Sequence, residues 1–165
     1  MKKQRYKIFY PDNNKYMVLS SRNPNMGKEN HFQETFFKYC CHLHLFAPHV
    51  ANERKTRTFK DKAGRYYSPE GNALKRKGVI SGMPDTLLFH PYMDPDIGFR
   101  CGVAVELKVD GGELSDNQKK ILDLLYDLGW MSIVTFGPDI YTWMETVYLP
   151  NIINMTKSKI EVHAK

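Results

Sequence analysis

Two acidic residues and a lysine are the side chains in this sequence best able to perform chemistry. Glu106 and Lys108 are two positions apart in an apolar segment, and the two-residue period of a strand places both on one face. Asp85 follows Pro84 at the start of an earlier apolar segment, so antiparallel pairing of the two segments would bring it beside Glu106. Converging carboxylates repel unless a cation lies between them, and hard divalent cations take oxygen ligands. The adjacent lysine would then orient a water or stabilise charge developing on a phosphate.

The same residues have an ordinary structural interpretation. A Glu-x-Lys alternation is common on half-exposed strands, and Pro-Asp often begins a strand. Charged residues on an otherwise hydrophobic strand cost desolvation energy, which calls for a reason. The order of the surrounding features favours the chemical interpretation over the structural one. Along the chain there follow a basic segment, the motif Gly-x-Pro-Asp, a Glu-Leu-Lys strand, a glycine turn and the motif Ser-x-x-Gln.

The elements that must position these side chains can be predicted from periodicity and from turn and cap residues. The patterns predict helices over 28–46, 115–128 and 138–150, and strands over 85–89, 99–109 and 131–136. In the strand over 99–109, Cys101 is expected in the core with Val103 and Val105. A short strand is expected over 49–52, and loops over 53–78 and 90–98. Residues 1–27 are expected to form an irregular arm with one short strand near Tyr6–Tyr10, and the whole predicts a mixed α/β fold.

Positive charge is concentrated in one segment of the chain. The 165 residues carry a formal net charge of +6, and residues 52–78 hold nine bases against three acids, which equals the whole surplus. The nine bases are Arg54, Lys55, Arg57, Lys60, Lys62, Arg65, Lys75, Arg76 and Lys77. Phe59, Tyr66 and Tyr67 interleave with them, so the segment could neutralise phosphates and stack on bases. A merely solvated basic loop is the alternative.

Composition excludes several classes of protein. Hydrophobic residues make up 42% of the chain, enough for a core, and no apolar run approaches the length of a membrane span. Three cysteines without a Cys-x-x-Cys pair argue against a disulfide framework or a thiolate zinc site, and the spacing of His42, His44 and His49 does not suggest metal binding. The basic N-terminus is not followed by an apolar stretch, so we expect no secretory signal and a cytoplasmic location.

Several motifs together resemble the VRR-NUC family of the PD-(D/E)XK nuclease superfamily. They are KGVISGMPD at 77–85, VELK at 105–108, GGELSDNQ at 111–118, Glu29-x-x-x-Gln33 in the first helix, and HVANE at 49–53. The resemblance implies a restriction-endonuclease-like α/β core with a mixed β-sheet flanked by helices. It spans about residues 28–149, which leaves 1–27 as an N-terminal arm and 150–165 as a C-terminal tail. A bare single domain looks most like the stand-alone forms found in phages, for which the cytoplasm would be that of a bacterial host.

The resemblance also implies roles for particular residues. Asp85 and Glu106 would bind the metal, with the backbone carbonyl of Leu107 as a further ligand, and Lys108 would be the catalytic lysine. Gln118 would reach toward the site from the second helix. A first-helix carboxylate would lie near the metal; Glu29 matches the motif, and Glu34 competes with it.

The activity implied is Mg²⁺- or Mn²⁺-dependent hydrolysis of phosphodiester bonds in DNA, of branched or Holliday-junction-like structure, in replication or repair. The basic segment would grip the nucleic-acid backbone through Arg54, Lys55, Arg57, Lys75, Arg76 and Lys77. A homodimer is a further candidate assembly. Two other functions stay open at this point: a non-catalytic nucleic-acid-binding domain that uses the basic segment, and an RNase on the same fold.

Overall fold

A five-stranded mixed sheet holds the strand that carries Glu106 and Lys108. The computed structural model describes residues 7–11, 14–20, 27–50 and 58–153. The strands in these ranges are β1 (Lys7–Phe9), β2 (Met17–Ser20), β3 (Phe59–Lys60), β4 (Tyr66–Tyr67), β5 (Thr86–Leu88), β6 (Tyr92–Asp94), β7 (Gly98–Arg100), β8 (Val103–Lys108) and β9 (Met131–Phe136). The α-helices are α1 (Glu29–His42), α2 (Pro69–Arg76), α3 (Asp116–Asp127) and α4 (Asp139–Trp143). A π-helical turn (Met144–Tyr148) and a 3₁₀ turn (Leu149–Asn151) continue α4.

The strand order in the sheet is β1-β2-β9-β8-β5. The three central strands are mutually parallel, while β1 and β5 pair antiparallel at the two edges. All six residues of β8 are buried, since helices cover both faces of the sheet. The predicted mixed α/β fold, with a mixed sheet flanked by helices, is confirmed.

One face of the sheet is covered by α1 and α4. Phe32, Phe36 and Cys40 of α1 recur every four residues, and all three are fully buried. They join the main hydrophobic core with Trp143 and the π-helical turn. This helix ends at His42, earlier than the predicted residue 46, as His44 takes a positive φ of 56°.

The opposite face of the sheet is covered by α3. Leu122 of this helix packs with Tyr16, Val18 and Val134 in a second hydrophobic cluster. Its N-terminus carries the expected cap: the Ser115 hydroxyl accepts the backbone N–H of Gln118, and the Gln118 side chain accepts the N–H of Ser115. Because α3 lies on the face to which Glu106 and Lys108 point, it buries them.

Several local predictions were wrong. Met17–Ser20 is a buried central strand inside the segment expected to be an irregular arm. The expected loop over 53–78 contains, in its described part, the β3–β4 hairpin and α2, and the loop over 90–98 contains most of a second two-stranded ribbon, β6–β7. The expected strand over 49–52 is a single bridge between His49 and Thr86 in its described part, residues 49–50.

The predicted strand over 99–109 is broken between residues 100 and 103, and Cys101 is exposed instead of lying in the core. At this break Gly102 approaches the neighbouring strand closely, since a Cβ there would lie 2.3 Å from the Leu88 carbonyl oxygen. The Cys101 N–H leaves the sheet and donates to the Gly129 carbonyl. Within the described residues, no helix combines the length and hydropathy needed to span a membrane.

Candidate active site

The antiparallel register of β5 and β8 brings the two predicted carboxylates together. Thr86 pairs with Val105, so Asp85, one residue before β5, lies opposite Glu106. The backbone N–H of Leu107 donates to Asp85 Oδ2 at 2.8 Å. The expected juxtaposition of the two acids is therefore confirmed.

Glu106 and Lys108 form a buried pair, not a surface alternation. Their exposed fractions are 1% and 8%, and Lys108 Nζ lies 2.8 Å from Glu106 Oε1. Gln118 Nε2 donates to the same Oε1, while Gln118 Oε1 caps α3. Glu106 Oε2 is buried and has no hydrogen-bond partner among the described residues. One carboxylate oxygen of Glu106 thus contacts two side chains, whereas the other has no hydrogen-bond partner in the part of the chain that the structure describes.

The first helix contributes two side chains to the site. Gln33 Nε2 donates to Asp85 Oδ1 at 3.1 Å. Glu29 lies four residues earlier on the same helix face and is half-buried, and its charge helps to raise the pKa of both Asp85 and Glu106. Glu34 is exposed, so the structure favours Glu29 as the first-helix acid. A role for Gln33 was missed, although its four-residue spacing from Glu29 was a usable signal.

The site has more negative charge than its surroundings neutralise. Burial raises the pKa of Glu106 to about 7, and the charge of Asp85 adds to this, although the hydrogen bond from Lys108 acts in the opposite direction. Burial also raises the pKa of Asp85, against the lowering effect of the Leu107 N–H. For Lys108, burial lowers the pKa, but the hydrogen bond and charge of Glu106 outweigh it and leave the pKa above its ordinary value. Lys108 is therefore a permanent cation that only partly compensates the acids.

His49 is a neighbour of the site that the sequence interpretation overlooked. It pairs with Thr86, and the next residue, Val50, donates its N–H to the Asp85 carbonyl at 2.8 Å. The charge of His49 lowers the pKa of Asp85, which opposes the effect of burial. The His49 side chain is exposed.

The donor set fits a hard divalent cation. Within the described ranges no cluster of three or more His, Cys, Asp or Glu side chains is arranged to hold a metal. Mg²⁺, however, is commonly held in proteins by one or two carboxylates, with waters and substrate phosphates completing its shell. A pair of converging carboxylates, one with a buried unpartnered oxygen and a raised pKa, supplies that minimal set.

Gly82, in the Gly-x-Pro-Asp motif, connects the loop before Asp85 to α3. Its φ is +88°, and a Cβ there would lie 2.7 Å from the backbone carbon of Asn117 and 2.8 Å from the nitrogen of Gln118. A glycine is needed for both reasons, since other residues rarely adopt this φ and would clash with the helix. This close approach fixes the distance between the Asp85 loop and the helix turn that carries Gln118.

The basic segment is partly described. Lys75, Arg76 and Lys77 are exposed at the C-terminal end of α2. Lys77 and Asp85 are eight positions apart in the chain, so their Cα atoms are at most about 28 Å apart. The other three predicted contacts, Arg54, Lys55 and Arg57, lie outside the described residues.

The mixed sheet, its flanking helices and the acid–acid–lysine arrangement define a protein of nuclease-like fold. The model of the VRR-NUC domain matches residues 28–135, well over half of the chain. The chain belongs to the VRR-NUC domain family, which is of the nuclease type. A solved "VRR_NUC domain protein" is similar in structure, with a TM-score of 0.50 and 21% sequence identity over 74% of this chain and 88% of that one. No curated protein matches the sequence.

Proposed function

We propose that the protein is a divalent-metal-dependent nuclease that hydrolyses phosphodiester bonds in DNA. The observation that carries the proposal is the buried set of Asp85, Glu106 and Lys108, with one oxygen of Glu106 left unpartnered. Family membership supports nucleic acid as the substrate. The proposed catalytic domain is residues 28–149. A cytoplasmic location and a homodimer stay predictions.

Each residue of the site has a proposed role. Asp85 and Glu106 would hold Mg²⁺ or Mn²⁺, with the Leu107 carbonyl and Glu29 as further oxygen donors. When bound, the cation polarises the phosphate and lowers the pKa of a water. Lys108 places a permanent positive charge 2.8 Å from Glu106 Oε1, where it stabilises charge that develops on the phosphate.

The two glutamines are positioning residues. Gln33 fixes the carboxylate of Asp85 by donating to Oδ1, and Gln118 fixes Glu106 by donating to Oε1. Each amide contacts only one oxygen of the carboxylate that it fixes and does not contact the second oxygen. Orienting hydrogen bonds of this kind set the geometry of ligands and are often as necessary as the ligands.

A non-catalytic nucleic-acid-binding domain is the alternative from another functional class. Such a domain would gain nothing from two buried acids, since they cost desolvation energy and repel phosphates. The burial of Glu106 argues against it. An RNase on the same fold has no structural observation against it, and a substrate panel separates it from a DNase.

The test is an incubation of the purified protein with duplex, single-stranded, flapped and four-way DNA, and with matching RNAs, in Mg²⁺, Mn²⁺ or EDTA. We expect cleavage of DNA with either metal, strongest on branched DNA, and none in EDTA. Glu106→Gln should be inactive, whereas the matched variant Glu113→Gln, which neutralises an exposed carboxylate nearby in the chain, should cleave normally. Full activity in EDTA, or an active Glu106→Gln, would refute the proposed mechanism.

A further inference from the structure

The β3–β4 hairpin exposes aromatic rings on both of its faces. Phe59 pairs with Tyr67 on one face, and Lys60 pairs with Tyr66 on the other. The exposed fractions are 50% for Phe59, 71% for Tyr66 and 45% for Tyr67. All four strand residues are exposed, so burial in the core does not account for these rings. The two strands form a sheet of their own, and an isolated two-stranded hairpin is at best marginally stable in water.

The hairpin and the helix that follows it carry a surplus of positive charge. Residues 58–78 contain six bases and two acids. One of the acids, Asp61, is already paired with Arg65 at 2.9 Å and accepts backbone N–H groups of the turn. Lys60 Nζ lies 4.9 Å from the centroid of the Tyr66 ring, which places a cation and a π-face side by side. The chemistry of this surface is complementary to a strand of phosphates with free bases.

A second ribbon of the same size shows that exposure alone is not the signal. The β6–β7 ribbon exposes Met93 and Phe99, which pair with each other. Asp94 is the last residue of β6 and Asp96 lies in the turn that follows, while the ribbon's one arginine, Arg100, lies against the ring of Tyr126 at 4.5 Å. Among the described ribbons, only the β3–β4 hairpin combines exposed rings with lysines. Phe99 therefore provides a matched control.

We infer that the β3–β4 hairpin is a base-stacking element that holds unpaired nucleotides of the substrate. This inference rests on the proposed nuclease function for the identity of its partner as a nucleic acid. Stacking on aromatic rings tolerates any base and requires that the base be out of a duplex. The lysines would contact backbone phosphates, and Tyr66 would stack on a base beside them. The substrate would therefore be a nucleic acid that contains unpaired nucleotides, which the hairpin would hold.

The rings also have a structural use, which decides which residue to test. Phe59 and Tyr67 lie 5.9 Å apart, and a cross-strand aromatic pair stabilises a hairpin. Removing either ring would weaken the hairpin itself. Tyr66 is the better probe, since its described partner is the solvated ammonium of Lys60 and it is the most exposed of the three rings.

The test is binding in EDTA, where the proposed cleavage does not occur. Fluorescence anisotropy would compare a labelled 20-nucleotide poly(dT), a poly(U) of the same length, and a blunt-ended, fully paired DNA duplex of the same length. Tyr66→Ala should weaken poly(dT) binding by about tenfold and duplex binding by less than about twofold. Tyr66→Phe should bind like wild type, while Tyr66→Val, which retains strand propensity without a ring, should lose as much as alanine. Phe99→Ala should bind both DNAs like wild type.

The outcomes separate the inference from the proposed function. A parallel loss on poly(U) supports stacking on bases regardless of the sugar. The stacking role is overturned by an equal loss on poly(dT) and on the duplex, by no loss on either, or by a valine variant that binds like wild type. If that happens while wild type still cleaves DNA with Mg²⁺, the nuclease proposal survives. If Tyr66→Ala loses poly(dT) selectively but wild type cleaves nothing, the stacking element survives and the nuclease proposal fails.

Discussion

Glu106→Gln should make the metal-free protein more stable while it abolishes cleavage. The amide has the shape of the carboxylate, and its oxygen can still accept from Lys108 and Gln118. Burial raises the pKa of Glu106 from an ordinary value of 4.5 to about 7 in the folded protein. Each unit of pKa difference corresponds to about 1.4 kcal/mol, so the ionised side chain costs the folded state about 3 kcal/mol above pH 7.

The sign of the pH dependence follows from the direction of the shift. Since the folded pKa lies above the unfolded one, Glu106 costs nothing below about pH 4.5, where it is protonated in both states. The cost grows as pH rises through the interval between the two pKa values and is complete above about pH 7. The melting temperature of Glu106→Gln in EDTA should therefore exceed that of wild type by about 6–12 °C at pH 8, at about 2–4 °C per kcal/mol for a protein of this size. At pH 5 the difference should shrink to less than about a third of that.

The assay is a thermal melt followed by circular dichroism at pH 5 and pH 8, in EDTA and in Mg²⁺. Mg²⁺ should raise the melting temperature of wild type, because it binds only the folded state, and leave that of Glu106→Gln unchanged. Glu113→Gln controls for the loss of one negative charge at an exposed position. If Glu106→Gln melts below wild type in EDTA at pH 8, Glu106 stabilises the folded protein as a partner of Lys108. The prediction that the ionised Glu106 side chain destabilises the folded state would then be wrong.

Three further substitutions, one of them with a matched control, test the rest of the site. Lys108→Ala should reduce the cleavage rate by about 10² or more, measured at saturating substrate, and leave DNA affinity within about twofold by anisotropy; an active variant would remove the lysine from the mechanism. Gly82→Ala and Gly78→Ala share a strained φ near +85° that costs about 1 kcal/mol, but only Gly82→Ala adds contacts below 3 Å, so it should cost a further 1–3 kcal/mol in denaturant melts. Equal melts for the two variants would contradict the close approach to α3. Gln118→Glu keeps the capping box but faces Glu106 with a second carboxylate, so it should slow cleavage and lower the melting temperature in EDTA at pH 8 more than at pH 5; a rate like wild type would show that the amide does not orient Glu106.

Local signals in the sequence were sufficient for the elements that bear the site. The Met131–Phe136 strand and the start of α3 at its Ser115 cap are determined by strand-forming residues and a capping motif, which act over a few residues. The juxtaposition of Asp85 and Glu106 followed from the assumption that their strands pair antiparallel, which the structure confirms although the β6–β7 ribbon lies between them in the chain. The resemblance to a known family then supplied the roles of these residues, which periodicity could not.

The central position of Met17–Ser20 could be decided only by the tertiary structure. This strand pairs with β9, whose residues lie more than a hundred positions away, and both of its faces are covered. A strand buried on both faces has no alternation to reveal it. Its place in the sheet depends on contacts between distant segments, which no local pattern encodes.

The burial and the pKa of the acids at the candidate active site were also decided by tertiary packing. From the sequence alone, Glu106 and Lys108 fitted a half-exposed strand equally well. The crossing of α3 over that face buries them, and Gln33 reaches Asp85 from the other helix layer. Residue types and spacing therefore determined which groups could act. The exclusion of water by two helices decided that the pKa of Glu106 lies above its ordinary value. The reason is that the free energy of a charged group depends on its surroundings.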